Sequence, residues 1–272
     1  MKYLFSLIIC LMSLCQFSIS GTYVDTFEDR RLSDWKDVNV NDSRPVNWKV
    51  SNGEVHVESK DNNTRILVLK DTEWTNYEVE LSVMPLKRHG HGHIVLASRV
   101  TLTRAIVFTI GDIFWNAPIP IATGTILNLE NGKLEGTPLQ FAKIRNLQNG
   151  NKFQVKLDDI VRIGVDLQCN NIHPYPFLKL HEWTHLKLMV SGDLFMFWIN
   201  ETLVLNTKCN LAHLAFLKGD LVTGSIGFGI AGYTALFDNF VVSGEEVPNR
   251  GRLPVRPQEK LGLTWGKLKV GR

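Results

Sequence analysis

The sequence predicts an all-β protein, built as a sandwich or barrel of antiparallel sheets. Short runs rich in Val, Ile, Leu, Phe and Thr recur along the chain after its first twenty residues. Turn sequences such as Asn52-Gly53 and Ser191-Gly192-Asp193 separate these runs, and Asn-Gly is a strong hairpin signal. No segment carries a helical apolar stripe over three turns with a cap at each end. Many short strands with closely spaced turns are typical of sandwiches and barrels.

The individual strands are predicted from their apolar runs, and the clearest one alternates. In Tyr77–Val83 the odd positions are apolar and the even ones are Glu78, Glu80 and Ser82, which indicates one buried and one solvated face. In Gly224–Gly232 glycines alternate with large apolar residues, and such a bare face permits a close backbone approach or a bend. Strands are predicted at 47–51, 54–58, 65–69, 76–84, 93–100, 104–110, 160–167, 194–200 and 223–230.

The first twenty residues are predicted to be a secretory signal peptide. Lys2 supplies a positive charge, and Leu4–Leu14 form an apolar core too short to span a bilayer. Small residues before Gly21 suit a cleavage site, so the mature chain is expected to start there. No later segment has the uncharged apolar run of a membrane helix. The protein is therefore predicted to be secreted, extracellular or periplasmic, with no membrane span.

Charge and composition divide the mature chain into a body and a tail. Residues 250–272 carry seven Lys or Arg against Glu259, within a total of +3 at pH 7, so the body is net acidic. An acidic body offers no footprint for a nucleic acid, and none is predicted as a partner. The sandwich domain is predicted at 21–247, with a loop-rich insertion or extra hairpin near 117–160. Residues 248–272 are predicted to form a basic flexible tail.

Two cysteines, Cys169 and Cys209, lie outside the predicted signal peptide. In an exported chain they could form one disulfide. Two free buried thiols are the alternative.

The letters H-E-x-x-H occur at His181, Glu182 and His185, and on a helix this spacing binds zinc in a class of metalloproteases. Here a tight turn at Ser191–Asp193 and a strong strand follow, which predicts a hairpin. At about 3.3 Å per residue, the two histidine Cα atoms would lie roughly 13 Å apart. That is too far to share a zinc ion bound at about 2.0–2.1 Å. We therefore expect no peptidase site.

The order of the motifs resembles a known fold and family. The motifs are YVDTFEDRRLSDWK, NWKVSNGEVHVES, NYEVELSV, GHGHIVLASRV, AIVFTIG, EWTHLKLMVSGDLFMFWINETLVL and TGSIGFGIAGYTALFDNFVVSG. Together they resemble the concanavalin A-like jelly roll, in the broad group of laminin-G-like domains. They are also similar to the secreted domain family named for 3-keto-disaccharide hydrolases. The resemblance covers residues 22–244 and implies a jelly-roll β-sandwich of two antiparallel sheets.

The resemblance implies that a concave sheet holds a sugar. Sugar binding needs an exposed aromatic ring and a few hydrogen-bonding groups. Trp115, which precedes the insertion, is the predicted platform, and Trp74 at a strand entrance suits either the ligand or the core. Four other tryptophans lie in motifs whose matching positions pack the core, namely Trp35, Trp48, Trp183 and Trp198.

The stretch KRHGHGHIVLASRV holds two further candidates. His89, His91 and His93 alternate, so in an extended chain they share a face at about 6.6 Å intervals. A metal could bind there, but the glycines between them favour a solvated loop, and His93 is predicted to contact the ligand. In the resembled family an arginine after such a strand faces the sugar groove, which implies a ligand contact for Arg99. An ion pair with a carboxylate on the next strand is the alternative.

The resemblance also places Asp25 and Asp238 close together near the paired termini, and such jelly rolls sometimes hold a structural calcium ion. Calcium takes six to eight oxygen ligands, and the sequence identifies only these two residues. Carboxylates that cap turns are the alternative. No other cofactor is predicted.

No catalytic pair is predicted. Glycosidases place two carboxylates about 5–5.5 Å or about 6.5–9.5 Å apart, and jelly-roll glucanases carry theirs as E-x-D-x-E, which is missing here. The family's Asn-Ser-Gly before its arginine strand is replaced by HGHGH. We therefore predict a secreted carbohydrate-binding or adhesion domain whose partner is a carbohydrate or glycoconjugate. The alternatives are a hydrolase or lyase acting on 3-keto-disaccharides or related glycosides, and a structural protein with an empty groove.

Overall fold

The computed structural model describes residues 20–40, 46–70, 72–111, 121–129, 134–135, 173–174, 178–208 and 221–252. Within these ranges the chain forms strands and turns and contains no α-helix. The predicted all-β class is confirmed. No helix in the described part is long and apolar enough to cross a membrane.

The described residues form fifteen strands, which are numbered here in chain order. They are β1 (Gly21–Asp25), β2 (Trp35–Asn39), β3 (Lys49–Ser51), β4 (Glu54–Glu58), β5 (Arg65–Leu69), β6 (Tyr77–Val100), β7 (Arg104–Gly111), β8 (Ile121–Asn128), β9 (Leu134–Glu135), β10 (His173–Pro174), β11 (Thr184–Ser191), β12 (Leu194–Ile199), β13 (Thr202–Lys208), β14 (Ser225–Gly244) and β15 (Arg250–Arg252).

Two long strands, β6 and β14, pair antiparallel with each other and run through both layers of the sandwich. The first half of β6 pairs with β11, and its second half pairs with β7. The second half of β14 pairs with β1 and β4, and its first half pairs with β5. We call the layer that contains β1, β4, β11, β12 and β13 the front layer. The back layer contains β2, β5, β7 and β8.

The main core lies between the two layers. Phe108 of β7 contacts Phe195 and Phe197 of β12, with ring centroids 5.7 Å apart in both pairs. These two strands share no ladder, so the contact shows that the layers are stacked face to face. Near the other end of the core, Phe228 lies 4.6 Å from Phe237 and 5.1 Å from Trp35 between ring centroids. Burial of this aromatic core is the main source of stability.

The outer faces of the two layers differ in exposure. On the back layer the outward residues are buried too, and they form a second apolar cluster. Its members are Val40, Ile66, Val68, Val95, Ala97, Val100, Ala105, Val107 and Leu129. On the front layer the outward residues of β6, β11 and β12 alternate with buried ones and stay half-exposed. The front layer therefore presents an open surface, whereas the described back layer does not.

The glycines of β14 allow a close approach of neighbouring strands. A Cβ atom at Gly227 would overlap the carbonyl oxygen of Leu67, and one at Gly229 would overlap that of Arg65. The prediction that this bare face permits close packing is confirmed. Gly232, with φ of 65°, lies where the pairing of β14 with β6 changes register.

Three other expectations can be compared with the structure. HGHGH was expected to be a solvated loop, but it lies within strand β6, where its backbone continues the sheet. In the insertion near 117–160, β8 and β9 form a hairpin and β8 joins β7. The predicted flexible tail begins with an ordered segment, because Arg250–Arg252 pairs parallel to β1. Residues 1–19 of the predicted signal peptide, the strand predicted at 160–167 and residues 253–272 lie outside the described residues.

The zinc-motif letters do not lie on a helix. His181 occupies a turn with φ of 62°, where its backbone N–H donates to the Pro85 carbonyl at 2.7 Å. Strand β11 then starts at Thr184 and carries His185 outward, next to Glu80. The prediction that this backbone does not form a helix is confirmed.

Candidate functional site

The candidate site is the outward surface of the front layer, which we call the front face. It is built from alternate residues of three neighbouring strands, because successive side chains of a strand point to opposite sides. Register pairs Glu80 with Lys187 and Lys187 with Trp198, so these three form one row across the sheet. The front face comprises Glu78, Glu80 and Ser82 of β6, His185, Lys187 and Met189 of β11, and Met196 and Trp198 of β12.

Lys187 lies at the centre of the front face. Its Nζ atom is 2.6 Å from Glu78 Oε1, 3.7 Å from Glu80 Oε1 and 5.5 Å from the centroid of the Trp198 ring. Burial disfavours the charged form, but the hydrogen bond to Glu78 and the two carboxylate charges outweigh it and raise the pKa of Lys187. His185 Nε2 is 3.4 Å from Glu80 Oε2. Two carboxylates, an ammonium, an imidazole and an indole ring thus converge within one small area.

Trp198 is the residue that the sequence reasoning misplaced. It was assigned to the core, but it lies half-buried on the front face. The signal was available in the alternation of β12, whose inward residues Phe195, Phe197 and Ile199 are buried. Parity therefore directs Trp198 outward. Trp183, also assigned to the core, is 42% exposed.

Such a surface has the chemistry of a sugar site. An aromatic plane packs against the C–H faces of a pyranose ring, while charged and polar side chains bond its hydroxyls. Charge-assisted hydrogen bonds from Lys187 and to the glutamates are stronger than neutral ones. The carboxylates and His185 are also groups that can move protons.

Arg99 does not lie on this surface. Its side chain is almost fully buried, with 2% exposed. The guanidinium donates to the carbonyls of Leu221 at 3.0 Å, Gly192 at 2.5 Å and Thr75 at 3.4 Å, and it lies 5.1 Å from the Phe195 ring centroid. Burial lowers its pKa. Arg99 joins three backbone segments, so this placement does not support the predicted ligand contact. It does not support the alternative, a simple ion pair, either.

His93 and Trp74 are also mostly buried. His93 Nε2 is 3.0 Å from Thr64 Oγ1, and burial lowers the pKa of His93 to about 4. The neighbouring His89 bonds elsewhere, to Thr234 Oγ1 at 2.8 Å, so the alternating histidines do not converge on one point. Trp74 belongs to the main core. The structure therefore gives His93 and Trp74 packing roles.

The two aspartates proposed as calcium ligands are engaged with protein donors. Asp25 is buried and accepts from the backbone N–H of Phe27 at 2.9 Å and from Trp35 Nε1 at 2.8 Å. Asp238 accepts from the backbone and side-chain nitrogens of Asn239 at 2.7 and 3.0 Å. No cluster of three or more His, Cys, Asp or Glu suited to a metal occurs among the described residues. These two carboxylates do not fit the six to eight oxygens that calcium requires.

Trp115 and the two cysteines, Cys169 and Cys209, lie outside the described residues.

The two stacked antiparallel layers define a jelly-roll β-sandwich. A carbohydrate-binding module of family 66 from Bacillus subtilis superposes with a TM-score of 0.50 at 12% identity, over 78% of this chain and 96% of that one. A Bacillus subtilis protein of unknown function with a galectin-like fold superposes with a TM-score of 0.52 at 12% identity, over 82% and 95%. At this identity the likeness concerns the fold alone, and it confirms the predicted jelly roll.

The family follows from the sequence itself. Residues 22–243 match the 3-keto-alpha-glucoside-1,2-lyase-like domain. The chain belongs to this family, as the order of its motifs predicted. A comparison with curated proteins found no match.

Proposed function

We propose that this protein binds carbohydrate on the front face, outside the cell or in the periplasm, with Trp198 as the apolar platform. The observation that carries the proposal is the half-buried Trp198 ring on the front face. The Lys187 ammonium lies over this ring and is itself paired with Glu78 and Glu80. The same arrangement suits a glycoconjugate on another cell, so adhesion is one use of such binding. The jelly-roll architecture supports this function by making one broad, open sheet surface available.

A glycan array with the purified domain tests the proposal. Trp198→Ala should lower the affinity for the bound glycan about tenfold or more, because it removes the stacking surface. Trp198→Phe should retain part of the binding, since it keeps an aromatic plane. Leu102→Ala is a matched surface control, because Leu102 is 89% exposed in the β6–β7 turn. Unchanged binding by a folded Trp198→Ala variant would exclude this site.

The array also tests the prediction for Trp115, which lies outside the described residues. If Trp115 contributes a second platform, Trp115→Ala should weaken binding further in the Trp198→Phe background. A rise in melting temperature on addition of calcium, relative to a chelator, would contradict the finding that Asp25 and Asp238 do not suit this ion.

A second candidate function is turnover of 3-keto-glycosides by elimination or hydrolysis, with sugar binding as its first step. Family membership favours it, and so does the placement of Glu80 beside His185, which offers a proton acceptor and donor on the open surface. Incubation with 3-keto-α-glucosides, followed by detection of released sugar, tests this candidate. Release that is lost in Glu80→Gln supports catalysis, and glycan binding without release supports the binding function alone.

A further inference from the structure

We infer that the front face selects free amino sugars over neutral sugars and rejects uronic acids. This inference rests on the proposed function, because it assumes that the glycan lies on Trp198. The charges around that ring indicate the chemical class of the ligand.

The charges on the front face do not cancel. Glu78 and Glu80 bring two negative charges to one ammonium, that of Lys187. His185, 3.4 Å from Glu80, adds a positive charge only when it is protonated. With a neutral imidazole the site is net negative, so it attracts a cationic group on a ligand and repels a carboxylate or sulfate.

The two glutamates are not equally satisfied. Glu78 forms a close ion pair with Lys187 at 2.6 Å. Glu80 lies 3.7 Å from Lys187 and 3.4 Å from His185, beyond the usual range of about 2.7–3.2 Å for a strong hydrogen bond. Its side chain is also 38% exposed. Glu80 is therefore the carboxylate with capacity left for an incoming ammonium.

Lys187 shows that this environment holds an ammonium group. Its Nζ atom sits between carboxylates and an indole ring, and cations are attracted to the faces of such rings. An amino group on an oligosaccharide would meet the same combination within this row, with a sugar ring stacked on Trp198 and an ammonium at Glu80, on the other side of Lys187. An N-acetylated sugar has the same ring but lacks the charge.

The test compares four tetrasaccharides, those of glucosamine, N-acetylglucosamine, glucose and galacturonic acid, by calorimetric titration at neutral pH. Glucosamine tetramer should bind about fivefold more tightly than its N-acetylated form, as expected for one partly solvated charge pair. High salt should reduce this preference. Glu80→Gln should abolish the preference, so that the glucosamine and N-acetylglucosamine tetramers bind with equal affinity. Glu245→Gln, at an exposed turn, removes the same charge elsewhere and should retain the preference.

The outcomes separate this inference from the proposed function. If the four tetramers bind equally and Trp198→Ala abolishes all binding, the charge selection is wrong and the sugar site stands. If the preference for glucosamine persists in Glu80→Gln, the charge selection by Glu80 is likewise wrong and the sugar site stands. If the galacturonate tetramer binds best, the sign of the selection is wrong. If none of the tetramers binds and the array is silent, both proposals fail.

Discussion

Strand β12 carries two cation–aromatic contacts, one on each side of the sheet. On the inner side Arg99 lies 5.1 Å from the ring centroid of Phe195, and on the outer side Lys187 lies 5.5 Å from that of Trp198. The geometry is similar, but the surroundings differ. Arg99 is bonded to three backbone carbonyls and is buried, whereas Lys187 faces two carboxylates and has 29% of its side chain exposed.

The comparison shows why one contact stabilises the fold and the other suits a ligand. Backbone carbonyls cannot leave their places without moving the chain, so the bonds of Arg99 fix three connecting segments. Glutamate side chains can rotate, and water or a sugar hydroxyl can replace Lys187 at little cost. A buried cation held by main chain is therefore structural, and an exposed one held by side chains is exchangeable.

The largest expected effect comes from Arg99→Met. This change leaves the buried Leu221 carbonyl and the part-buried Gly192 carbonyl without their donor and empties a buried site beside Phe195, so the free energy of unfolding should fall by roughly 3–5 kcal/mol. Urea denaturation measures it. A loss below about 1 kcal/mol would show that the inner contact is no more structural than the outer one.

The aromatic partners should differ in the same way. Phe195→Ala removes a fully buried ring between the layers and should lower the free energy of unfolding by roughly 3–5 kcal/mol. Trp198→Ala should cost clearly less, because its ring is half-buried, and should instead lower glycan affinity. Equal losses of stability in the two variants would contradict the assignment of Trp198 to the surface.

A buried histidine extends the comparison to pH. The pKa of His93 is lowered from its ordinary value of 6.5 to about 4 by burial, so the unfolded chain binds a proton more readily than the folded one. The protein therefore keeps its full stability above the pKa that His93 has in the unfolded chain. As the pH falls from there towards about 4, the free energy of unfolding decreases by roughly 3 kcal/mol in total. Denaturation measured across this pH range should show a smaller loss of stability towards acid for His93→Gln than for the unsubstituted protein. His185→Gln, on the front face, should retain the loss that His93 produces.

The smallest expected effect is that of Lys187→Met on stability. Its ion pairs are partly exposed, so the free energy of unfolding should change by only about 0–1 kcal/mol. The same substitution makes the front face more negative and should sharpen the preference for glucosamine tetramers. A large loss of stability would place Lys187 with Arg99 as a structural residue.

Local patterns predicted the strands well. The alternation in Tyr77–Val83 identified both the buried residues of β6 and the outward pair Glu78 and Glu80, because a strand repeats every two residues. The same rule applied to β12 would have placed Trp198 outward. Trp198 was assigned to the core because its motif was considered and the alternation of side chains along the strand was not.

Other features depend on distant partners and could not be predicted. Arg99 bonds to Gly192 and Leu221, which are far away in the sequence, and no local pattern indicates these contacts. HGHGH was taken for a loop because glycine is flexible. It is extended because β14 pairs with β6 on either side of it, so tertiary pairing overrides local preference.

The shared strands β6 and β14 have a consequence for how the molecule melts. Each strand belongs to both layers and pairs with neighbours on both sides, so neither layer can come apart without disrupting strands that the other layer needs. The sandwich should therefore open as one cooperative unit, and a sugar resting on the front face will slow amide hydrogen exchange deep in the back layer as well. Slower hydrogen exchange of back-layer amides, which no ligand can contact, would thus report that a sugar is bound to the front face.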